Sequence, residues 1–492
     1  MTTRTDFSLD LHGRRVLVLG AGKSGLAAAR LAKAKGADVI VLDSAPREHF
    51  AKLIPLLEGE GIFFYPYFKD ETWTGDSIDL VVVSPGIALG SSLDQVGRST
   101  GAPMRGELEF GASYLDCPMV AVTGTNGKTT TVELLTACLN GAGKRVLAAG
   151  NIGLPLSQVA LEQPPLDYLV VEVSSFQMEH AGSFHPQVGV VLNVTPDHLN
   201  RHGTLEAYRN LKLQLLRQIR PGGIAVFHAP LAQFLQLDPQ VAANRLWLIG
   251  EEAKPTTPGT DWAVASDGLM RLDQEGKGTR LFARSSMQLI GNHNLANALA
   301  VVAVLSGLGI PKEQYSPVLS NFRSGPHRME LVLQCNDIAF FDDSKATDVD
   351  AMRQALRTLG PSRGKKILLI AGGLDKGCAL SEAKSELRMY VKGVYLIGDC
   401  RHRLAELWGS EVPCQLCDSL EEAVQAAAEA AVSGDTVLLS PACASMDMFR
   451  DYEERGERFR AAACAVMAAA VEILAYLYGR QHTLIDDIRI AQ

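Results

Sequence analysis

The stretch Val120-Ala121-Val122-Thr123-Gly124-Thr125-Asn126-Gly127-Lys128-Thr129-Thr130-Thr131 decides how this chain is read. Its apolar start predicts a buried strand, and Val132, Leu134, Leu135, Cys138 and Leu139 then recur at helical spacing. Strand, glycine loop and helix in that order are the setting of a phosphate-binding loop. The glycines let backbone N–H groups curl around phosphate oxygens, and the helix start adds positive potential. Gly124, Thr125, Asn126, Gly127, Lys128, Thr129 and Thr130 are therefore the candidate triphosphate site, with Lys128 reaching the terminal phosphates and Thr129 ligating Mg²⁺. The loop is short of the usual spacing, since Val122 stands where a further glycine is common. A plain strand-to-helix turn would leave the Lys-Thr pair unexplained.

Toward the N-terminus, Arg15-Val16-Leu17-Val18-Leu19 reads as a buried strand and Gly20-Ala21-Gly22-Lys23-Ser24-Gly25 as a turn. Residues 26–35 read as a helix, and residues 37–42 as a second strand closed by Asp43. This is the glycine fingerprint of a nucleotide-binding βαβ unit, with an acidic residue at about the expected distance of ~20. Alone it would predict an NAD-dependent oxidoreductase, but other nucleotides occupy the same turn. A further apolar strand, residues 80–83, ends in Ser84-Pro85-Gly86, and loops at such strand ends bind ligands. The chain thus carries two nucleotide sites, and a dehydrogenase reading leaves the loop at 124–129 idle.

Toward the C-terminus, residues 168–171 lead into Glu172-Val173-Ser174-Ser175-Phe176-Gln177, where Glu172 can complete an Mg²⁺ site with Thr129. Residues 188–191 lead into Asn193-Val194-Thr195-Pro196-Asp197-His198, and residues 205–219 form a helix bearing Lys212. His198 and Lys212 taken singly read as a structural histidine and a solvated cation. Residues 251–290 show turn signals between short strands and no catalytic pattern. Asn294 and Asn297 open an Ala-rich helix one turn apart, able to face one ligand. From Gly325 the strand–helix rhythm returns, with Asp342-Asp343-Ser344-Lys345-Ala346-Thr347, Gly372-Gly373-Leu374-Asp375-Lys376-Gly377 and Ser440-Pro441-Ala442-Cys443-Ala444-Ser445 at strand ends. Lys345 and Lys376 at successive strand ends favour an anionic ligand over simple surface charge.

The expected fold class is α/β in three domains. Residues 1–106 form a Rossmann-like domain, 107–324 a central P-loop ATPase domain with a parallel sheet, and 325–492 a second Rossmann-like domain with an extra C-terminal helix. A net charge of −8 over 492 residues argues against a nucleic-acid-binding surface. No apolar segment follows Met1, so no signal peptide is expected. Nine scattered cysteines fit a reducing compartment, the cytoplasm, and Cys414-x-x-Cys417 lacks the second pair a metal site needs. Residues 461–479 are almost wholly apolar apart from Glu472. Met467, Val471, Leu474 and Tyr478 form one stripe there, which predicts a packed helix rather than a membrane span.

In combination these motifs resemble the Mur ligases of bacterial cell-wall synthesis, from about residue 12 to 466. The resemblance rests on the shortened loop at 124–129, on residues 172–177 and 193–198, and on His293-Asn294-Leu295-Ala296-Asn297. Pro326-His327-Arg328-Met329-Glu330 and Asp343-Ser344-Lys345-Ala346-Thr347 extend it. The first glycine turn, Ser84-Pro85-Gly86-Ile87 and Leu439-Ser440-Pro441-Ala442-Cys443-Ala444-Ser445 resemble the glutamate-adding branch. The resemblance implies that ATP phosphorylates the carboxylate of UDP-N-acetylmuramoyl-L-alanine and that the amino group of D-glutamate then attacks, in a monomeric enzyme using two Mg²⁺ sites. It assigns Gly22, Lys23, Ser24, Asp43, Ser84, Gly86 and Asn151 to the UDP-substrate, and Asn294, Arg328, Asp343 and Lys345 to ATP beside the loop. Thr347, Lys376, Ser440 and Phe449 would surround glutamate. Thr129, Glu172, His198 and a carbamylated Lys212 would hold metal, with Lys128, His198 and Lys212 catalytic. Asn200, the run Phe227-His228-Ala229-Pro230 and Asp348 depart from the family pattern without removing a phosphate or metal ligand. A folylpolyglutamate synthase-like ligase would make no use of the first βαβ unit, and a non-catalytic scaffold none of Lys128, Glu172 and His198.

Overall fold

Apolar, β-branched runs such as Val16-Leu17-Val18-Leu19 and Val120-Ala121-Val122 can be covered on both faces only in a sheet flanked by helices. The structure, a computed structural model, builds three such sheets. It describes residues 10–490 apart from 70–71, 236–238, 243–244, 251–259, 267–268, 275–276, 284–286, 289–290, 324, 336, 376–379 and 479–488. The first sheet comprises β1 (Arg15–Leu19), β2 (Asp38–Leu42), β3 (Phe63–Tyr65), β4 (Leu80–Val83) and β5 (Met104–Gly106). Its order is β3-β2-β1-β4-β5, all parallel. Val16 and Val18 face one apolar cluster and Leu17 and Leu19 the other, as the two-residue period of a strand requires.

The second sheet contains β6 (Met119–Thr123), β7 (Val146–Gly150), β8 (Tyr168–Glu172), β9 (Val188–Val191), β10 (Ile224–His228), β11 (Arg245–Gly250), β12 (Thr260–Ser266), β13 (Leu269–Gln274) and β14 (Lys277–Ala283). Its order is β14-β13-β12-β11-β10-β9-β6-β8-β7. The sheet is parallel from β7 to β12, as expected, and adds an antiparallel edge where β12, β13 and β14 pair. Only two residues separate successive strands there, and a parallel return needs a crossover of a dozen or more.

The third sheet holds β15 (Glu330–Cys335), β16 (Ile338–Asp342), β17 (Ile367–Gly372), β18 (Val391–Ile397), β19 (Cys414–Leu416), β20 (Thr436–Leu439) and β21 (Arg489–Ile490), in the order β19-β18-β17-β20-β16-β15-β21. The apolar tail continues a single helix, Tyr452–Tyr478, and is not a separate element. The side chains of Met467, Val471, Leu474 and Tyr478, and Gly479 itself, lie outside the described residues. Beyond the helix, β21 pairs antiparallel with β15, Ile490 opposite Leu333. Among the described residues no helix is long and apolar enough to cross a membrane.

The chain divides into two compact units. One comprises Met1–Val194, Glu206–Met287 and Ala296–Asn321; the other comprises Thr195–Leu205, Gln288–Leu295 and Phe322–Gln492. The first two sheets share the first unit, joined through buried polar contacts. Gly106 N donates to His180 O at 2.6 Å, Ser183 N to Glu109 Oε2 at 3.0 Å and Ser157 N to Glu107 Oε1 at 2.7 Å. Glu107 is almost fully buried, and its Oε2 has no partner among the described residues. Burial pushes its carboxyl up to about 7.

The folded state therefore keeps this proton up to about pH 7, whereas the unfolded chain releases it near the ordinary value of 4.5. The stabilisation is complete below that lower value and is lost as pH rises through about 7, a change on the order of 3 kcal/mol. A glutamine keeps the acceptor for Ser157 without the ionisation. The melting temperature of Glu107→Gln should therefore fall less than that of the parent between pH 5 and pH 8 in parallel thermal scans. Superimposable pH profiles would refute the buried proton.

Candidate active site

The loop after β6 adopts the shape its glycines predict. Gly127 has φ +84°, and a Cβ there would sit 2.2 Å from Asn297 Oδ1, so only glycine fits. The next residues, Lys128–Gly141, are the helix. Asn193, just past β9, clamps the loop: its Oδ1 accepts from Asn126 N at 2.9 Å and its Nδ2 donates to Asn126 O at 3.0 Å. Its backbone carbonyl accepts from Thr125 N at 3.0 Å. The Thr125 and Tyr208 hydroxyls lie 3.3 Å apart.

Two lysines meet on this loop. Lys128 Nζ donates to the carbonyls of Gly124 at 2.9 Å and Thr125 at 2.7 Å. Lys212 Nζ donates to the same Gly124 oxygen at 2.8 Å. Lys212 is buried, with its ammonium 4.5 Å from the centre of the Tyr208 ring. The helix Leu205–Arg217 puts both side chains on one face, four residues apart.

Glu172 closes β8, in register with Val122 of β6, so the sheet sets it beside the loop. It is 2% exposed; Oε1 accepts from Asn151 Nδ2 at 2.7 Å, and Oε2 is buried with no partner among the described residues. A buried carboxylate oxygen left unpaired costs about 1–3 kcal/mol or more, unless a cation takes it. The nearby Thr129 hydroxyl side chain is also buried. A carboxylate and a hydroxyl are oxygen donors of the kind Mg²⁺ takes, so the residues present fit that ion.

The turn after β1 is equally constrained. A Cβ on Gly25 would lie 1.8 Å from Gly20 O, whereas one on Gly22 or Gly86 would meet nothing within 4 Å. Asp43 accepts from Ala21 N at 2.7 Å and Ala45 N at 2.8 Å, and the Ser84 hydroxyl donates to Gly20 O at 3.3 Å. Both hold the turn, while Gly22, Lys23 and Gly86 present its open side. Lys23 Nζ donates to Gly153 O at 2.5 Å, two residues from Asn151. A line of contacts thus runs from the first glycine turn through the loop at 151–153 to Glu172.

His198, Asn294, Arg328, Asp343, Lys345, Thr347, Ser440 and Phe449 belong to the second unit. Asp343 is buried at the end of β16, accepting from the Ser440 hydroxyl at 2.8 Å and Met329 N at 3.2 Å, and burial pushes its carboxyl up to about 7. Lys345 Nζ lies 4.7 Å from the centre of the Tyr452 ring. His198 has φ +52° and sits 3.4 Å from Asp197 Oδ2. Phe449 is buried in an apolar cluster with Phe459 and Leu439. Asp348, a departure from the family pattern, caps the helix Val349–Arg363 by accepting from Ala351 N at 2.9 Å. Aspartate and asparagine cap about equally well, so the exchange is cheap. Asn200 is exposed. Lys376 lies outside the described residues.

Asn193 and Tyr208 stand outside the predicted ligand set, and Asn297, expected with Asn294 to face one ligand, fills the space beside Gly127. Their role is to shape the loop, and nothing local in sequence pairs residue 126 with 193 or 125 with 208.

Comparison with known proteins agrees with this geometry. Residues 122–305 match the Mur ligase middle domain, and residues 327–443 match the Mur ligase, glutamate ligase domain. The chain belongs to the Mur ligases, a family of ATP-dependent ligases. Within that family it is similar along its length to D-glutamate-adding members. The UDP-N-acetylmuramoylalanine–D-glutamate ligase of Koribacter versatilis is 37% identical, over 92% of this chain and 97% of that one. The ligase of the same name from Pelotomaculum thermopropionicum is 38% identical, over 92% and 97%. The fold is that of the MurF ligase from Thermotoga maritima in complex with ADP (TM-score 0.58, 18% identity, 94% of this chain and 96% of that one). It is also that of the UDP-N-acetylmuramate-alanine ligase MurC from the same organism (TM-score 0.54, 21% identity, 91% and 98%).

The two glycines of the first turn separate fold from ligand. Gly25→Ala should lower the melting temperature by several degrees through its clash with Gly20 O. Gly22→Ala should melt within about a degree of the parent yet raise the KM for the UDP-substrate about tenfold or more, since only a ligand meets its Cβ. Thermal melts with steady-state kinetics on both variants check this, and an unaltered KM in Gly22→Ala would remove the turn from the site.

Proposed function

We propose that this enzyme joins D-glutamate to UDP-N-acetylmuramoyl-L-alanine, converting ATP to ADP and phosphate by way of an acyl phosphate. The observation that carries the reading is the pairing of Lys128 on its glycine loop with the unpartnered Oε2 of Glu172. Similarity to D-glutamate ligases over nine-tenths of the chain supports the choice of substrates. We assign residues 1–106 to the UDP-substrate, 107–324 to ATP and 325–492 to glutamate, and the reaction to the cytoplasm, where ATP and nucleotide sugars are available.

The substrate carboxylate attacks the γ-phosphorus of ATP, and charge grows on the equatorial phosphoryl oxygens. The Lys128 ammonium, held by two carbonyls in the free enzyme, turns to those oxygens, while loop N–H groups face the neighbouring phosphates. Thr129 and Glu172 would hold Mg²⁺, which would supply charge neutralisation at the same oxygens. Asn151 fixes the Glu172 carboxylate through Oε1 and leaves Oε2 free for this role. The glutamate amine then attacks the acyl carbon, and phosphate leaves. In the second unit the Ser440 hydroxyl gives its hydrogen to Asp343, so Ser440 would offer glutamate a lone pair suited to an amine or ammonium. Thr347, Lys376 and Phe449 would complete that pocket.

Lys212 is the residue whose state matters most. Its ammonium shares the Gly124 oxygen with Lys128, two like charges on one acceptor. Carbamylation by CO₂, with loss of two protons, would turn it into an anionic oxygen donor of the kind Mg²⁺ takes and would remove the repulsion.

The test is phosphate release from ATP with UDP-N-acetylmuramoyl-L-alanine and each candidate amino acid in turn. Turnover should require D-glutamate, and Lys128→Ala should lose about a hundredfold or more while keeping its melting temperature. Lys212→Ala should be nearly inactive and partly restored by short-chain carboxylates. Full activity of Lys212→Ala with no additive would show that the lysine stays a plain cation.

A further inference from the structure

Cys400 and Cys443 come from different strand ends of the third sheet, three residues beyond β18 and four beyond β20. Both are buried, and their sulfurs lie 3.4 Å apart. β17 runs between those two strands, and the residues after it touch both loops. Cys400 N donates to Gly373 O at 3.1 Å, while Leu374 and Ala444 exchange hydrogen bonds of 2.9 and 3.0 Å. The loop bearing Cys443 is also the loop of Ser440. Arg455 Nη1 donates to Cys443 O at 3.1 Å, and Ala442 takes φ +60° to let the chain turn. Three strand ends therefore meet at this thiol pair.

We propose that Cys400 and Cys443 are an oxidisable dithiol, a modification site at which a small-molecule disulfide drives formation of a Cys400–Cys443 bond that shuts the glutamate end of the active site. For its effect on catalysis this rests on the assignment of glutamate to the loop at 440–449.

The chemistry is two successive thiol–disulfide exchanges. The Cys400 thiolate attacks one sulfur of R–S–S–R and expels RS⁻, giving a mixed disulfide. The Cys443 thiolate then attacks the Cys400 sulfur and expels the second RS⁻. The two thiol protons leave with the two RS⁻ groups, so two cysteines and R–S–S–R become one protein disulfide and two RSH. Cys400 suits the first attack: the hydrogen bond from Cys443 outweighs burial and holds its thiol below the ordinary range. Bonding draws the sulfurs from 3.4 Å to about 2.0 Å. Cys400 is fixed at the start of the helix Arg401–Trp408, so much of the movement falls on the loop with Ser440. Because the pair is buried, oxidation waits on loop opening and should take minutes to hours.

The full-length enzyme is incubated with oxidised glutathione, alkylated and mapped by mass spectrometry without reduction, while phosphate release gives the KM for D-glutamate. The expected result is a linked peptide joining Cys400 to Cys443, a rise of about tenfold or more in the glutamate KM with the ATP KM unchanged, and recovery on adding dithiothreitol. Cys400→Ser should match the reduced parent and keep its activity in the oxidant. Absence of the linked peptide overturns the proposal. So does a linked peptide with an unchanged glutamate KM, or Cys400→Ser inactivating as fast as the parent. If the reduced enzyme turns over no glutamate, the functional assignment has failed, and the peptide map alone still decides whether the dithiol forms.

Discussion

One carbonyl oxygen, that of Gly124, receives two ammonium groups, from Lys128 and Lys212. Two unit charges so close repel by roughly a few kcal/mol at an effective dielectric constant of about 20. The protein bears this cost in a loop built to stay put. Asn193 ties down Asn126 and Thr125, Asn297 fills the space beside Gly127, and Tyr208 supports both Thr125 and Lys212. A loop clamped in this way cannot relax to separate the lysines. The like-charge contact is thus confined to the loop that follows β6.

The same logic explains why the sheets carry the site. β6 and β8 are adjacent and parallel, so the glycine loop and Glu172 leave the sheet at the same end. β1 and β4 do likewise for the first turn and Ser84. Side chains at the carboxyl ends of neighbouring parallel strands converge without any need for long reach. The contact from Lys23 to Gly153 then links the two strand-end clusters inside one unit.

The parts of this arrangement legible in sequence are those written in consecutive residues. The glycine loop, the first turn and Glu172 at a strand end all follow from local pattern, because glycine spacing and apolar runs act over a few residues. Contacts across 67 or 83 residues, such as Asn126 with Asn193 or Thr125 with Tyr208, leave no such trace. Glu107 is similar: a glutamate opening a short helix reads as surface until the second sheet covers it. The antiparallel edge is written locally too, in the two-residue connections between β12, β13 and β14. The helical tail is legible as helix, and its alanines continue the preceding turns without a break, so its start is not marked in sequence.

Paired and unpaired oxygens distinguish an acidic cluster of the second unit from Glu172. His327, Glu330 and Asp342 bring a histidine and two carboxylates within metal-binding distance of one another. Yet every carboxylate oxygen there is engaged: Asp342 with His327 Nδ1 and Ser344 N, and Glu330 with His327 N and Arg460. The hydrogen bond to Asp342 raises the His327 imidazole above its ordinary range, which favours the charged form against that carboxylate. A metal entering would have to break an ion pair already made, with no net gain in charge neutralisation. Glu172 is the opposite case, equally buried but with one oxygen satisfied by Asn151 and the other by nothing in the described chain. Counting ligating residue types would favour the first cluster, and counting vacant lone pairs favours the second. Glu107 answers its own unpaired oxygen with a proton, whereas Glu172 Oε2 lies at a strand end beside the phosphate loop, where a cation would meet it.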